Sequence, residues 1–319
     1  MSERLQSFLV TNCADVENAL RTHLPMSSLP EARRLNDALD YALFPGGKRL
    51  RPALSLLASA LVGVPRADAL TIACGIEFLH SSSLIIDDLP AMDDAGLRRN
   101  RPALHLVFGE STALLAALAL LNQSYALFAE AALSCGGAVD RLVSEATRAV
   151  GSEGMIGGQM IDLVLKASCT DTQSLAGRDL KTVALMRLMT TAGAIAAGSA
   201  EADARALREF GECAGRAYQI CDDLLDQCAG NYTSGKTIMQ DARHGRASAV
   251  SALGFRSARK TATELTDRAT SALAARFGQR AEVLLLTDAV QFVVNRVPNE
   301  TLKEAVRSPA WFEAASVGD

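Results

Sequence analysis

The sequence Asp87-Asp88-Leu89-Pro90-Ala91-Met92-Asp93-Asp94 places four carboxylates within eight residues, directly after a long apolar stretch over 67–86. This stretch predicts a helix, and its last turn would hold Asp87 and Asp88 because Pro90 cannot continue it. A helix C-terminus carries partial negative charge and favours cations. Aspartates at this position therefore either form a solvated acidic turn or bind a multivalent cation.

A second acidic cluster, Asp222-Asp223-Leu224-Leu225-Asp226, ends another predicted helix over about 203–229. Asp222 and Asp226 are four residues apart and share one helix face, where like charges repel. Two helices that both end in carboxylates suggest two walls of one polyanion site, bridged by cations. Oxygen ligands without nearby His or Cys pairs favour Mg²⁺, which usually binds through one or two carboxylates and substrate phosphates. We therefore expect the substrate to be a diphosphate or a similar anion.

Composition predicts an all-α protein. The 319 residues are 49 % hydrophobic but only 5 % aromatic, and alternation of apolar and polar residues is nearly absent, so a sheet is not expected. No linker rich in Pro, Gly or Ser divides the chain, and we expect a single domain over residues 1–319. The net charge of −4 argues against a general nucleic-acid binder. Seven cysteines without a C-x-x-C pair, and no visible secretory signal, favour reduced thiols in a cytoplasmic protein.

The longest apolar run, Ala113 to Leu121, is nine residues long. A bilayer-spanning helix needs about 20 apolar residues, so we expect no integral membrane segment. The run predicts instead a helix that is buried on all sides, either in the core or in a subunit interface.

Several cations and one histidine have two interpretations each. Lys48-Arg49-Leu50-Arg51 follows Gly46-Gly47, and it is either a solvated basic turn or an anion site where backbone amides approach a phosphate. His80 shares a helix face with Asp87 and is either a core residue or a ligand. Lys181 lies in an apolar stretch and either reaches out to water or points at an internal anion.

Taken together, these motifs resemble those of the trans-isoprenyl diphosphate synthases. The joint pattern is D-D-x-x-x-x-D followed by Arg98-Arg99, and D-D-x-x-D preceded by Tyr218-Gln219, with Gly46-Gly47-Lys48-Arg49-Leu50-Arg51-Pro52 near the start. The sequence is most similar to bacterial geranylgeranyl diphosphate synthases of the carotenoid-pathway type. The resemblance implies the isoprenoid synthase fold, a bundle of about ten or more helices around a central cavity. It also implies Mg²⁺-dependent condensation of isopentenyl diphosphate with allylic diphosphates.

The resemblance also assigns roles to residues. Asp87 and Asp93 would ligate two Mg²⁺ ions with support from Asp88, and Asp222, beside Asp223 and Asp226, would hold a third. Isopentenyl diphosphate would be bound by Lys48, Arg51, His80 and Arg99. The allylic diphosphate would be bound by Arg98, Lys181 and Lys236, with Arg246 standing where the family commonly has Lys. The Thr182 hydroxyl and the Gln219 amide would lie near the developing allylic cation.

The residues before the first aspartate bear on product length. In the family, bulky aromatics at the fourth or fifth residue before this aspartate stop growth at farnesyl, and here these residues are Ser83 and Ser82. Small side chains there leave room, so we expect geranylgeranyl diphosphate (C20). Farnesyl diphosphate (C15) is the alternative, and a product of C25 or above stays open.

Two further interpretations remain. A class I terpene cyclase also uses an aspartate-rich motif, but it would need neither Asp222-Asp223-x-x-Asp226 nor the second diphosphate site of Lys48, Arg51 and His80. A non-catalytic subunit of a heteromeric synthase would tend to lose one aspartate motif, and here both are intact. Because the family pairs, and because the apolar run at Ala113 needs covering, we expect a homodimer.

Overall fold

The structure is a computed structural model and describes residues 1–164, 172–228, 250 and 253–297. The prediction of an all-α fold is confirmed. The helices are α1 Glu3–His23, α2 Arg33–Leu43 after a 3-10 turn at Pro30–Ala32, α3 Leu50–Leu61, α4 Arg66–Asp87, α5 Leu104–Phe108, α6 Glu110–Ser134, α7 Val139–Val150, α8 Met155–Val164, α9 Thr172–Ala196, α10 Glu201–Cys228, α11 Phe255–Phe277 and α12 Ala281–Asn295.

Helix α4 is the central element of the core. It packs against α3, α6 and α9, and an unbroken run of its residues from Thr71 to Leu79 is buried. The helix ends at Asp87, with Asp88 as its C-cap, as the break at Pro90 predicts. A helix that is buried all round can present its polar groups only at its end, so the aspartates mark the opening of the bundle.

Helix α9 crosses its neighbours closely because small residues line the crossings. A Cβ on Gly158 of α8 would lie 2.5 Å from the backbone nitrogen of Lys181, and one on Gly215 of α10 would lie 3.0 Å from the Cα of Val183. The 2.5 Å approach at Gly158 is closer than real Cβ atoms come, so this crossing requires glycine, and the 3.0 Å approach at Gly215 is tighter than most Cβ contacts. The part of α9 around Lys181 and Val183 is thereby held between α8 and α10, next to the end of α4.

Within the described residues, the only β-strands form one short hairpin. Leu97–Arg98 pairs antiparallel with Arg101–Pro102, a ladder that the composition did not lead us to expect. The two residues between the strands, Arg99 and Asn100, have φ of 53° and 59°. Two successive positive φ angles make a type I′ turn, for which Asn is well suited and Arg is not. This turn directs the chain back towards the end of α4.

The apolar run at the start of α6 differs from the expectation of burial on all sides. Ala113, Ala116 and Leu120 are buried, but Leu114, Leu115 and Leu118 are 44 %, 57 % and 56 % exposed. Leu114, Leu115 and Leu118 thus lie on the side of α6 that faces away from the core and form an uncovered stripe. Burial of the whole run in the core is therefore wrong, and burial of this stripe in a subunit interface stays a prediction.

Among the described residues, two helices are long and apolar enough to span a bilayer, α4 and α6. The expectation that no helix would pass this test rested on the longest unbroken apolar run. In α4, 72 % of the most apolar window is buried inside the fold, and in α6 the share is 39 %. Core helices of folded proteins pass the same test, so it gives only weak support for a membrane span.

Candidate active site

Asp87 is buried at the end of α4 and contacts Lys181 of α9. The Lys181 ammonium donates to Asp87 Oδ2 at 2.6 Å and to Gln159 Oε1 at 2.7 Å. Burial raises the pKa of Asp87, and the positive charges of Lys181 and Arg98 oppose this rise. Lys181 thus points inward at an anion rather than outward to water. The charge of Asp87 is costly in this position unless a cation lies beside it.

Asp88 is paired with Arg98 of the hairpin. The Arg98 guanidinium donates through Nε and Nη2 to the Asp88 carboxylate, with Nε 2.9 Å from Oδ2. Asp88 is only 3 % exposed, and this fork engages both of its oxygens. Asp88 is therefore placed to orient Arg98.

Asp93 is half-buried, and its backbone N–H donates to the Asp87 carbonyl at 2.9 Å, which folds the acidic segment back over the helix end.

The second acidic cluster is connected to the first through α9. The Thr182 hydroxyl donates to Gln219 Oε1 at 3.0 Å, and the Gln219 amide donates to Asp223 Oδ1 at 3.3 Å. Since Lys181 contacts Asp87, the adjacent residues Lys181 and Thr182 connect the two clusters. Asp223 is buried, Asp222 is half-buried and Asp226 is exposed. The structure thus brings residues of both predicted walls into one contact chain.

The carboxylates fit a magnesium site that is completed by substrate. Among the described residues, no three His, Cys, Asp or Glu side chains could hold a metal ion by themselves. Mg²⁺ differs from zinc in that one or two carboxylates suffice, because water and substrate phosphates supply the other ligands. Asp87 is a buried carboxylate that already has the Lys181 ammonium beside it, so a cation is favoured there. When bound, the metal would neutralise the charge of a diphosphate leaving group.

The predicted basic residues differ in how far they are buried. Lys48 is exposed, His80 and Arg51 are half-buried, and the guanidinium of Arg51 lies 5.9 Å from the ring centre of Tyr218. The Arg51 Nε and the Arg99 Nη1 atoms are buried without a hydrogen-bond partner. Donors in this condition are costly, and an anion that accepts from them relieves the cost. The basic run at Lys48 is therefore not simply a solvated turn.

Three charged residues of this region were missed from the sequence. Arg49 is buried and donates to Glu77 Oε1 at 2.7 Å and to Glu17 Oε1 at 2.6 Å. Glu77 is 3 % exposed, and its Oε1 also lies 3.6 Å from Arg99 Nη2. Gln159, which contacts the Lys181 ammonium, was also given no role from the sequence. The sequence did contain a signal, the lone Glu77 in the apolar stretch before His80. A glutamate that is buried in such a stretch needs a cationic partner.

The predicted chain-length residues lie inside the bundle. Ser82 is 2 % exposed, and Ser83 is half-buried with its hydroxyl donating to the His80 carbonyl at 2.8 Å. They lie about one turn to one and a half turns deeper along α4 than Asp87. Lys236 and Arg246 lie outside the described residues.

Known proteins resemble the chain over most of its length. The sequence profile named polyprenyl synthetase matches residues 32–283. The chloroplastic geranylgeranyl pyrophosphate synthase 11 of Arabidopsis thaliana is 35 % identical over 274 residues, which is 84 % of this chain and 76 % of the relative. An FPP/GFPP synthase from Zymomonas mobilis, solved in its apo form, superposes with a TM-score of 0.79 at 31 % identity and covers 92 % of this chain and 100 % of that one.

A further crystal structure contains bound ligands. A geranyltransferase from Helicobacter pylori, complexed with magnesium and isoprenyl diphosphate, has a TM-score of 0.72 at 29 % identity and covers 93 % of this chain and 98 % of that one. The profile match extends over more than half of the chain and includes both aspartate clusters. The chain therefore belongs to the polyprenyl synthetase family of prenyltransferases.

Proposed function

We propose that this prenyltransferase is a geranylgeranyl diphosphate synthase, which condenses isopentenyl diphosphate with allylic diphosphates up to C20. The observation that carries the proposal is the contact chain from Asp87 through Lys181 and Thr182 to Gln219 and Asp223. It joins two carboxylate walls to a lysine and to neutral oxygen atoms, which is the set of groups that ionisation of an allylic diphosphate requires.

The positive groups act on the leaving diphosphate. The allylic C–O bond breaks, and the electron pair leaves with the diphosphate, whose growing negative charge Arg98 and Lys181 stabilise. Both are held in place before substrate arrives, Arg98 by Asp88 and Lys181 by Asp87 and Gln159. We assign three Mg²⁺ ions to Asp87, Asp88, Asp93, Asp222, Asp223 and Asp226, and they would supply the remaining charge neutralisation.

The neutral oxygens act on the allylic fragment. Thr182 Oγ1 and Gln219 Oε1 lie beside each other and can face the developing carbocation without reacting with it. The double bond of isopentenyl diphosphate attacks this cation, a new C–C bond forms, and a proton is lost to the released diphosphate. Lys48, Arg51, His80 and Arg99 hold the isopentenyl diphosphate during this step. No nucleophilic side chain is needed.

Product length follows from the space below the aspartates. Ser82 is buried at a depth where an aromatic side chain would block a prenyl chain after C15. A serine in the same place leaves the path open for one further unit, which favours C20 over C15. The relatives carry names of both kinds, and the Zymomonas mobilis enzyme is named for FPP and GFPP, so farnesyl and longer products are the alternatives to test.

We further propose that the enzyme is a cytoplasmic homodimer without an integral membrane segment. Leu114, Leu115 and Leu118 leave an apolar stripe on α6, and a second copy covering it would remove that area from water. The net charge of −4 gives no reason to expect nucleic acid as a partner.

Product analysis tests this function. Purified protein is incubated with isopentenyl diphosphate, Mg²⁺ and each allylic diphosphate from C5 to C15, and products are separated by chromatography. We expect a C20 end product that disappears when EDTA is added. A C15 or C25 end product would keep the reaction and overturn the chain length. No elongation by well-folded protein would instead favour a non-catalytic subunit of a heteromeric synthase.

A further inference from the structure

A buried charge network lies beneath the loop that carries Lys48 and the first turn of α3, which carries Arg51. Its central residue is Glu77, which lies in the middle of the most apolar part of α4 and is 3 % exposed. Its Oε1 accepts from Arg49 Nη1 at 2.7 Å and lies 3.6 Å from Arg99 Nη2. Glu77 thus contacts two arginines from two different loops, and the described hydrogen bonds and ion pairs do not join it to either aspartate cluster.

Arg49 anchors the loop to this network. Besides its two carboxylate partners, its guanidinium donates through Nη2 to the Leu43 carbonyl at 2.7 Å. A Cβ on Gly46 would lie 2.1 Å from the guanidinium carbon of Arg49, so a larger residue at this position would displace the guanidinium from its partners Glu17 and Glu77. Burial disfavours the Arg49 cation, but Glu17 and Glu77 outweigh this effect and its pKa is raised. Arg49 is therefore fully engaged inside the protein.

Arg99 is the incompletely paired member of the network. Burial, together with the positive charges of Arg49, Arg98 and Arg51, lowers the pKa of Arg99, and Glu77 alone opposes this. The ion-pair distance of 3.6 Å is long, and the Nη1 atom is buried without a partner. Arg99 also lines a cavity between α2, α4 and the hairpin, together with Ser81, whose buried hydroxyl likewise has no partner. Arg99 is therefore held near an anion position but not neutralised.

We propose that Glu77 is a positioning residue for isopentenyl diphosphate: its carboxylate, fixed by Arg49, holds the Arg99 guanidinium in a defined place relative to Lys48 on the loop and Arg51 in the first turn of α3. This inference rests on the proposed role of Arg99 in binding isopentenyl diphosphate. Arg49 and Arg99 share the carboxylates Glu17 and Glu77, and the positive charge of Arg51 also acts on Arg99, so the cluster keeps positive charge in excess. A diphosphate supplies the missing negative charge.

Glu17 provides a matched control, because it contacts Arg49 but has no contact with Arg99 among the described ion pairs and hydrogen bonds. We expect Glu77→Gln to raise KM for isopentenyl diphosphate about fivefold or more and to leave KM for farnesyl diphosphate within about twofold. We expect Glu17→Gln to leave both KM values within about twofold. Both variants lower the melting temperature, since each weakens the pairing of buried Arg49.

The result that overturns the proposal is a common response of the two variants. If Glu77→Gln and Glu17→Gln lower the melting temperature but shift KM for isopentenyl diphosphate equally or not at all, Glu77 supports the fold only. If Glu77→Gln does not fold, Glu77→Asp takes its place. This variant keeps the negative charge on a side chain that is one methylene shorter, so the carboxylate no longer reaches Arg99. An unchanged KM for isopentenyl diphosphate would then overturn the proposal, and an increase would support it.

An Arg99→Gln variant separates this inference from the function on which it rests. We expect it to raise KM for isopentenyl diphosphate, and adding Glu77→Gln to it should cause no further rise, because Glu77 acts through Arg99. If Arg99→Gln leaves that KM unchanged, the assigned role of Arg99 is wrong and the role of Glu77 falls with it. If Arg99→Gln raises KM and Glu77→Gln does not, only the role of Glu77 falls.

Discussion

The ammonium nitrogen of Lys181 lies 2.6 Å from Asp87 Oδ2, although the two residues are 94 positions apart in the chain. The contact joins α9 to the end of α4 at the place where both substrates are expected to meet. It puts a positive charge against a carboxylate whose pKa burial raises. Under the proposed function, a metal ion at Asp87 would take over the neutralisation of this carboxylate and leave the lysine available to a diphosphate.

We expect Lys181→Met to lower kcat by about a hundredfold or more, because a fixed cation at a leaving group contributes on the order of 3 kcal/mol. The variant should also unfold at lower temperature without metal, since the buried Asp87 loses its partner. Steady-state kinetics and thermal unfolding measure both effects. Lys260→Met is the control, because that lysine is exposed on α11 and its one ion pair within the described residues is with Glu264 at 3.7 Å. Equal kcat values for the two variants would contradict the role of Lys181.

Gly158→Ala should impair catalysis without touching substrate. The added Cβ would lie 2.5 Å from the backbone nitrogen of Lys181, so α8 must move away from α9. Gln159 of α8 then loses its 2.7 Å contact with the Lys181 ammonium. We expect kcat to fall about tenfold or more and stability to fall by about 1–3 kcal/mol. Gly96→Ala is the matched control, since nothing lies within 4 Å of a Cβ at that position. A Gly158→Ala enzyme with the kcat of Gly96→Ala would show that the crossing tolerates the methyl group.

Ser82→Phe should shift the product from C20 towards C15. Ser82 is 2 % exposed, and under the proposed function a phenyl ring there would occupy part of the space that the prenyl chain needs beyond C15. Chromatography of products made from geranyl and farnesyl diphosphates measures the shift. The same substitution at Ser81, which lies about 100° further round the helix, is the control for simple overpacking. An unchanged C20 product from Ser82→Phe would overturn the argument from side-chain size.

Asp288 should contribute stability that depends on pH. Its carboxylate accepts from Arg4 Nη2 at 2.6 Å and from the Ser2 hydroxyl at 2.5 Å, and the hydrogen bond from Arg4 lowers its pKa. The native state therefore favours the ionised form, and this stabilisation is present above the ordinary Asp pKa of about 3.9 and lost as the pH falls through the lowered value. Asp288→Asn should lower the free energy of unfolding by about 1–3 kcal/mol between pH 5 and 8.

Urea denaturation at several pH values measures this difference. We expect the gap between wild type and Asp288→Asn to be constant above about pH 5 and to narrow below about pH 4. Asp40→Asn is the control, because Asp40 and Arg21 form an exposed pair at 3.3 Å, which contributes little. A gap that keeps its size below about pH 3 would mean that the ionised carboxylate is not the source of the stability.

The sequence was sufficient for the helices and for the aspartate clusters. Long apolar stretches with breakers such as Pro90 determine where a helix ends, and the residues at that end follow from the chain itself. The direction of Lys181 was left open, because a lysine in an apolar stretch looks the same whether its stem or its charge is buried. Only the partner, Asp87, decides between the two, and it comes from another helix.

The network of Glu17, Arg49 and Glu77 could not be predicted for the same reason. Its members come from α1, from a loop and from α4, and no spacing rule relates them. The leucines of the α6 run were misjudged for a different reason. A run of nine apolar residues has no polar face, so its pattern does not indicate which side of the helix faces the core. The buried side proved to consist of three alanines and Leu120.

Arg49 and Arg99, which both contact Glu77, have φ of 47° and 53°. A designer idealising this backbone would write glycine or asparagine at both positions, and the local geometry would improve. The charge network would then be lost at two of its members. Loss of Arg49 would leave the buried Glu77 without its closest cation and would destabilise the protein, whereas Arg99 is incompletely paired. A screen for thermostability alone is therefore expected to keep Arg49 but to accept glycine or asparagine at Arg99, at the cost of substrate capture.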